Sequence, residues 1–219
     1  AVPMAAPWEA VTMNPVDLYS SSSKSDDFNV PRNKYGEEGA KTGNNYAGVN
    51  FFGYRGKVPR TYLGTKLSIP MEAGKEYCLK FHLSMSDMSK YAVNNIGMYV
   101  SKETMEEVSD ANIYLEPQIL SVTNRVYNKQ FSWEAVCGTY TAEGGEQYIV
   151  IGNFAKDADT KQETVRLSRE FSGRQSYDAY YFIDDVSVIP TDKLDEKDCA
   201  CDKIAGGKLE VTEYKRFGT

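Results

Sequence analysis

Apolar and polar residues alternate through much of the middle of the chain. Residues 77–86, YCLKFHLSMS, are the clearest case. Tyr77, Leu79, Phe81, Leu83 and Met85 fall on one face of an extended segment, and Cys78, Lys80, His82, Ser84 and Ser86 on the other. A period of two marks a strand with one buried face. β-Branched and aromatic runs of strand length recur at 45–54, 61–71, 96–101, 115–122, 131–142, 146–154 and 180–190. Gly, Pro and Asn punctuate them. Ala73-Gly74 reads as the tip of a turn before the alternating strand. Glu143-Gly144-Gly145-Glu146 reads as a hairpin turn, with 146–154 returning beside 131–142. Helical periodicity is almost absent, and residues 101–110 fit one helical turn or a loop. Many short strands joined by Gly-rich turns predict an all-β fold, a two-sheet antiparallel jelly-roll β-sandwich.

The pattern also divides the chain. Residues 1–44 read as an irregular lead-in packed on the sandwich, with a polar Ser-rich run at 20–27. Residues 45–190 read as the sandwich, with 157–178 as a charged excursion loop. Residues 191–219 turn charged and Gly-containing, and read as a linker toward a further domain.

Composition narrows the function. The 219 residues carry a net charge of -6 and a pI near 5.0. Phosphate backbones demand a basic surface, so nucleic acid is not an expected partner. The apolar runs are strand-length, too short for a spanning helix. Tyr is frequent, at 16 residues, while His82 is the single histidine. There is no G-x-S-x-G elbow, no P-loop and no H-E-x-x-H. Asp87 with Glu134 is the pair a hydrolase would need, but no motif supports catalysis, and no enzyme is expected.

Several separated blocks resemble one known domain. Arg60 and Tyr62 precede the second strand; Pro70, Ala73-Gly74, Lys75 and Tyr77 form a turn motif. Ser86, Ser89, Tyr91-Ala92 and Ile96-Gly97 follow, then GGEQYIVIGNF and YYFIDDVSV. In this order they resemble the N-terminal jelly-roll domain, galactose-binding-like and carbohydrate-binding-module-like, of OmpA-family outer-membrane proteins of Bacteroidota. The resemblance covers roughly residues 45–200. It implies a non-catalytic interaction module at the cell envelope, associated with the outer membrane on its periplasmic or surface side. Outer-membrane proteins or glycans would be partners, and peptidoglycan would be reached through a C-terminal domain. Cys199-Ala200-Cys201 sits where the family carries a Cys-x-Cys linker. The family's opening strand motif is not found at the start of this chain, so that strand, or a metal ligand on it, is expected to be missing. The alternative is a carbohydrate-binding module that reads glycans through surface Tyr and Phe.

Candidate sites follow. Tyr46, Tyr54 and Tyr62, with Arg55 and Arg60, could stack on sugar rings and bond their hydroxyls, or could fill the core. Asp184 and Asp185 interrupt the most strand-like run of the chain. In strict alternation they point to opposite faces: Asp184 with Phe182, Val186 and Val188, Asp185 with Tyr181, Ile183 and Ser187. That argues against a glycosidase pair. It leaves a structural acceptor or a cation ligand, and related jelly rolls hold a structural Ca²⁺ near this strand. No other cofactor is expected. Cys78 and Cys137 could form a disulfide in an oxidising compartment or stay as thiols. Cys199 and Cys201 are too close to bridge each other comfortably; Cys199 joining Cys201 of a second copy is a further option.

Overall fold

The computed structural model describes residues 8–105, 111–121, 125–194, 199–205 and 208–214. Residues 106–110, half of the segment read as helical turn or loop, lie outside them, as does the Cys199 side chain.

In chain order the strands are β1 (Trp8–Ala10), β2 (Asp17–Ser20), β3 (Arg32–Asn33), β4 (Gly36–Glu37), β5 (Asn45–Gly53), β6 (Leu63–Lys66), β7 (Glu76–Met85) and β8 (Tyr91–Val93). Then come β9 (Ile96–Ser101), β10 (Ile119–Leu120), β11 (Glu134–Thr141), β12 (Tyr148–Asn153), β13 (Gln162–Thr164), β14 (Asp178–Pro190), β15 (Cys199–Ala205) and β16 (Lys208–Tyr214). Two five-stranded antiparallel sheets face each other, in the orders β1-β6-β12-β9-β10 and β11-β7-β14-β5-β2. This is the expected jelly-roll sandwich.

The core lies between the sheets and follows the alternation. Leu79, Phe81, Leu83 and Met85 of β7 meet Val49 and Phe51 of β5 and Ile96, Met98, Ile149 and Ile151 of the facing sheet. Each fully buried side chain of this size contributes about 1.5–3 kcal/mol.

The turn chemistry differs from expectation. β11 pairs with β7, while β12 pairs with β6 and β9 in the other sheet. Residues 142–147 are thus an arch between sheets, not a hairpin. A carboxylate organises it: Glu146 accepts the N–H groups of Glu143 and Gly144 at 2.7 and 2.8 Å. The arch between β6 and β7 lies against it, with Met71 N–H donating to Glu146 O, Gly145 N–H to Met71 O and Gly74 N–H to Ala142 O, each at 2.8 Å. Turn residues look alike in an arch and in a hairpin, so local sequence does not separate the two.

Among the described residues, both the lead-in and the C-terminal segment contain strands. β1 pairs with β6, and β2 with β5, so the lead-in supplies an edge strand to each sheet. Between β2 and β5, residues 21–44 form a strap over the outer face of the β14 sheet. There Tyr19, Tyr46, Tyr180 and Phe182 make a second apolar cluster with Phe28, Tyr35 and Trp133. Tyr35 stacks on Tyr180 with centroids 3.7 Å apart and planes 6° from parallel. The region read as a linker holds the β15–β16 hairpin.

The cysteines correct the expected pairing. Cys78 and Cys137 share the outer face of neighbouring strands but sit diagonally, Cys78 opposite Thr139 and Cys137 opposite Lys80. Cys137 instead bonds Cys201 across 64 residues, with Cα atoms 6.3 Å apart. Cys78 is also oxidised, and no cysteine among the described residues is free.

Candidate functional site

β14 connects the two places where the expected site residues come together. Through Ile183 it pairs on both sides, with β5 and β7. After Asp184, which faces His82, the ladder resumes only at Ser187 opposite Lys80. Two residues of β14 therefore oppose one of β7, which is a β-bulge. Asp185 takes a left-handed backbone, φ 54°. The bulge breaks the alternation that would send the two acids to opposite faces.

Both carboxylates reach the end of the strap. Asp184 Oδ2 accepts the N–H groups of Lys41 and Thr42 at 2.8 and 3.2 Å, and its Oδ1 accepts the Asp185 N–H at 2.7 Å. Asp185 Oδ1 accepts the Thr42 hydroxyl at 2.7 Å. Burial pushes the Asp184 carboxyl above its ordinary value, against the pull of those three N–H groups. A Ca²⁺ ion needs six to eight oxygens. Asp184 is already occupied by backbone donors, and no group of three or more His, Cys, Asp or Glu among the described residues is placed to hold a metal. The pair does not fit the cation expected of it; it ties the strap to the closing strand.

Beside the pair lies a cleft of about 280 Å³, between the sheets at the β1–β2 edge. Trp8 and Leu18 bring the two edge strands to it, Leu63, Ile183 and Val186 add apolar lining, and Asn45, Asp184 and Asp185 add polar groups. The volume falls just below the usual range of ligand pockets, about 300–1,000 Å³. It suits one ring rather than a chain lying flat.

The expected ligand residues divide sharply. Tyr46, Arg60 and Tyr62 are buried, 3%, 2% and 0% exposed. Tyr46 also contributes to the cleft lining. Its hydroxyl donates to Glu38 O and accepts from Asn33, at 3.0 and 2.9 Å. Arg60 donates to the carbonyls of Asn153 and Ala155 and pairs with Asp157 at 2.5 Å. Tyr62 accepts the Ile113 N–H at 2.9 Å. Buried polar groups must find partners, and the Tyr46 and Tyr62 hydroxyls and the Arg60 Nη groups have found them within the fold. Arg60 and Tyr62 are structural, and Tyr46 is structural as well as part of the cleft wall.

Tyr54 and Arg55 stay at the surface, at the far end of β5 from the cleft. Tyr54 stacks on Tyr91, 5.2 Å between centroids and 13° between planes, and Tyr177 lies 6.3 Å from Tyr54. Asp87 and Glu134, the two acids a hydrolase would need, serve separate partners. Asp87 Oδ2 accepts the Glu37 N–H at 2.8 Å, while Glu134 pairs with Arg125 and Lys129. His82 lies under the bulge, its Nδ1 3.8 Å from Asp185 Oδ2.

No family model and no curated protein matches the chain. Solved structures do. The chain is similar to the CBM22-1–GH10 modules of Clostridium thermocellum xylanase 10B, solved with xylohexaose, at 10% identity and a TM-score of 0.43. That match covers 84% of this chain but only 26% of the xylanase chain. It is similar to the K1 cleaved adhesin domain of Lys-gingipain from Porphyromonas gingivalis, at 14% identity and a TM-score of 0.44 over 86% of this chain and 93% of that one. It is also similar to the N-terminal cellulose-binding domain of Cellulomonas fimi β-1,4-glucanase C, at 13% identity and a TM-score of 0.34 over 84% and 88%. At these identities and scores, the functional argument rests on this chain's own residues.

Trp8, Leu18 and Asn45 were not legible as site residues, because they fall in or beside a lead-in that showed no strand pattern. The one signal was Trp8 itself, one of two tryptophans, in a short stretch of small residues.

Proposed function

We propose that this chain is a non-catalytic sugar-binding module that takes one pyranose ring, the end of a glycan, in the Trp8 cleft. The observation that carries this reading is the cleft's composition: an indole beside an apolar lining, with an amide and a carboxylate at hand. Sugar rings present apolar C–H faces and polar edges, and this combination answers both. Asp184 is held by backbone donors, so Asn45 and Asp185 are the groups that meet hydroxyls. The Asp185 side chain is 34% exposed, and its Oδ2 lies too far from His82 for a direct hydrogen bond.

The Cys137–Cys201 disulfide supports a site of action outside the reducing cytoplasm. The outer-membrane proteins and peptidoglycan expected from the OmpA-family resemblance draw no support from this geometry, whereas the glycan alternative does.

The test is tryptophan emission during titration with a panel of neutral mono- and oligosaccharides. Trp133 donates its indole N–H to Gly39 O at 2.9 Å and serves as the internal reference. At least one sugar is expected to shift the emission in wild type and in Trp133→Phe. In Trp8→Ala, affinity is expected to fall about tenfold, the equivalent of about 1.4 kcal/mol. A panel with no response, or full affinity in Trp8→Ala by calorimetry, would sink the reading.

A further inference from the structure

The cluster around Tyr54 is a second, independent feature at the opposite end of β5. Three chain segments meet there, and backbone hydrogen bonds lock them. Tyr54 N–H donates to Tyr177 O at 3.0 Å, Lys90 N–H to Ser176 O at 3.0 Å, and Val165 N–H to Lys90 O at 2.8 Å. β5 ends where it must, since a Cβ at Gly53 would lie 1.8 Å from the Val58 carbonyl oxygen. Only glycine permits that approach, and it fixes Tyr54 at the rim.

Three cations surround the rings. The Arg55 guanidinium lies 5.2 Å from the Tyr54 centroid, and Lys90 and Arg174 lie 4.6 and 5.6 Å from the Tyr177 centroid. Arg55 itself is held at φ 54°, ψ 34°, a conformation that disfavours a side chain. The Arg174 hydrogen bond, then the Lys90 charge, draws the Tyr177 phenol below its ordinary value. Among the described residues, none of these three cations makes an ion pair, and they gather over two neighbouring rings. The nearest acid in sequence, Asp178, is 2% exposed, and its Oδ1 accepts the hydroxyls of Ser89 and Ser176.

We propose that the half-buried Tyr54 and Tyr177, backed by the buried Tyr91, form with Arg55, Lys90 and Arg174 a binding platform for an anionic polysaccharide. On a chain of net charge -6, a local group of uncompensated cations selects a negative ligand by position. The exposed parts of Tyr54 and Tyr177 favour a ring-bearing ligand over an acidic peptide, because a ring can pack against them. The overall acidity disfavours nucleic acid. Arg174 supplies a planar fork for a carboxylate or a sulfate, and Lys90 a point charge.

The experiment measures binding of the full chain to oligogalacturonate, to its methyl ester and to a sulfated dextran oligomer, at low and at physiological salt. Polyglutamate and single-stranded DNA run alongside. Binding to the uronate or the sulfated chain, weakened at least tenfold by esterification or by added salt, is expected. Affinity should fall about tenfold in Arg174→Ala and severalfold in Lys90→Ala. Lys24→Ala, which removes an equal charge elsewhere, should bind as wild type. Arg55→Gly guards against misfolding as an explanation, since glycine suits the left-handed backbone. It should melt no lower than wild type yet bind more weakly. The proposal is overturned if neither anionic glycan binds, if the ester binds as well as the acid, if Lys24→Ala weakens binding as much as Arg174→Ala, or if polyglutamate or DNA binds as tightly as the glycans.

Discussion

The bulge midway along β14 and the start of that strand carry opposite charge and handle it in opposite ways. At the bulge, Asp184 and Asp185 are committed to the protein: four hydrogen bonds run to them from Lys41, Thr42 and Asp185 itself. At the start of the strand, Tyr177 stands between Arg174 and Lys90, which have no acidic partner among the described residues. Each of the two regions also holds a left-handed residue other than glycine, Asp185 in the bulge and Arg55 just after β5, both at φ 54°. At the acidic end the strain aims a carboxylate back at the strap. At the cationic end it presents a guanidinium over a ring. Charge that has found internal partners stabilises the fold, while charge without them is free to recognise something else.

The largest effect is expected at the strap. Asp87 holds the middle of it, accepting the Glu37 N–H, and burial pushes its carboxyl up to about 6 from 3.8. The folded chain therefore keeps this proton where the unfolded chain releases it. Its contribution to stability is complete below about pH 4 and is lost as pH rises toward 6, a change of roughly 2–3 kcal/mol. Urea titrations of wild type from pH 4 to 7 should show that decline, and Asp87→Asn should flatten it. A wild-type profile rising across that interval would show that Asp87 is not held this way.

Asp184→Ala comes next. It strips acceptors from three N–H groups and frees the strap end, at a cost of about 2 kcal/mol, read as a lower urea midpoint with an unchanged slope. Arg174→Ala is the counterpart at the other end, and its stability change should stay within about 0.5 kcal/mol. Equal losses from the two substitutions would erase the distinction between committed and uncommitted charge.

Much of the fold was legible because burial on one face writes a period of two. The whole apolar face of β7, from Tyr77 to Met85, is buried as the alternation required. Partnership between strands was not legible. The Glu143–Glu146 turn holds the same residue types in an arch as in a hairpin, and only long-range pairing separates them. The Asp pair failed for a related reason: alternation assumes an unbroken ladder, and the bulge breaks it at those two residues. Among the aromatic candidates, sequence marked residues that love interfaces but not which interface. Tyr46 and Tyr62 are buried, and Tyr54 is half-buried, stacked on Tyr91. Tyr177 went unseen because it precedes β14 in a stretch whose charges read as loop.

The Cys137–Cys201 bond also sets where the sandwich carries mechanical load. Tension applied C-terminal to Cys201 passes through the disulfide into β11, at the edge of its sheet. The disulfide bypasses the chain between the end of β14 and Cys201. β14, which joins cleft to platform, is not peeled from its neighbours by such a pull, so a tethered copy can be dragged by its tail without either end of that strand changing shape.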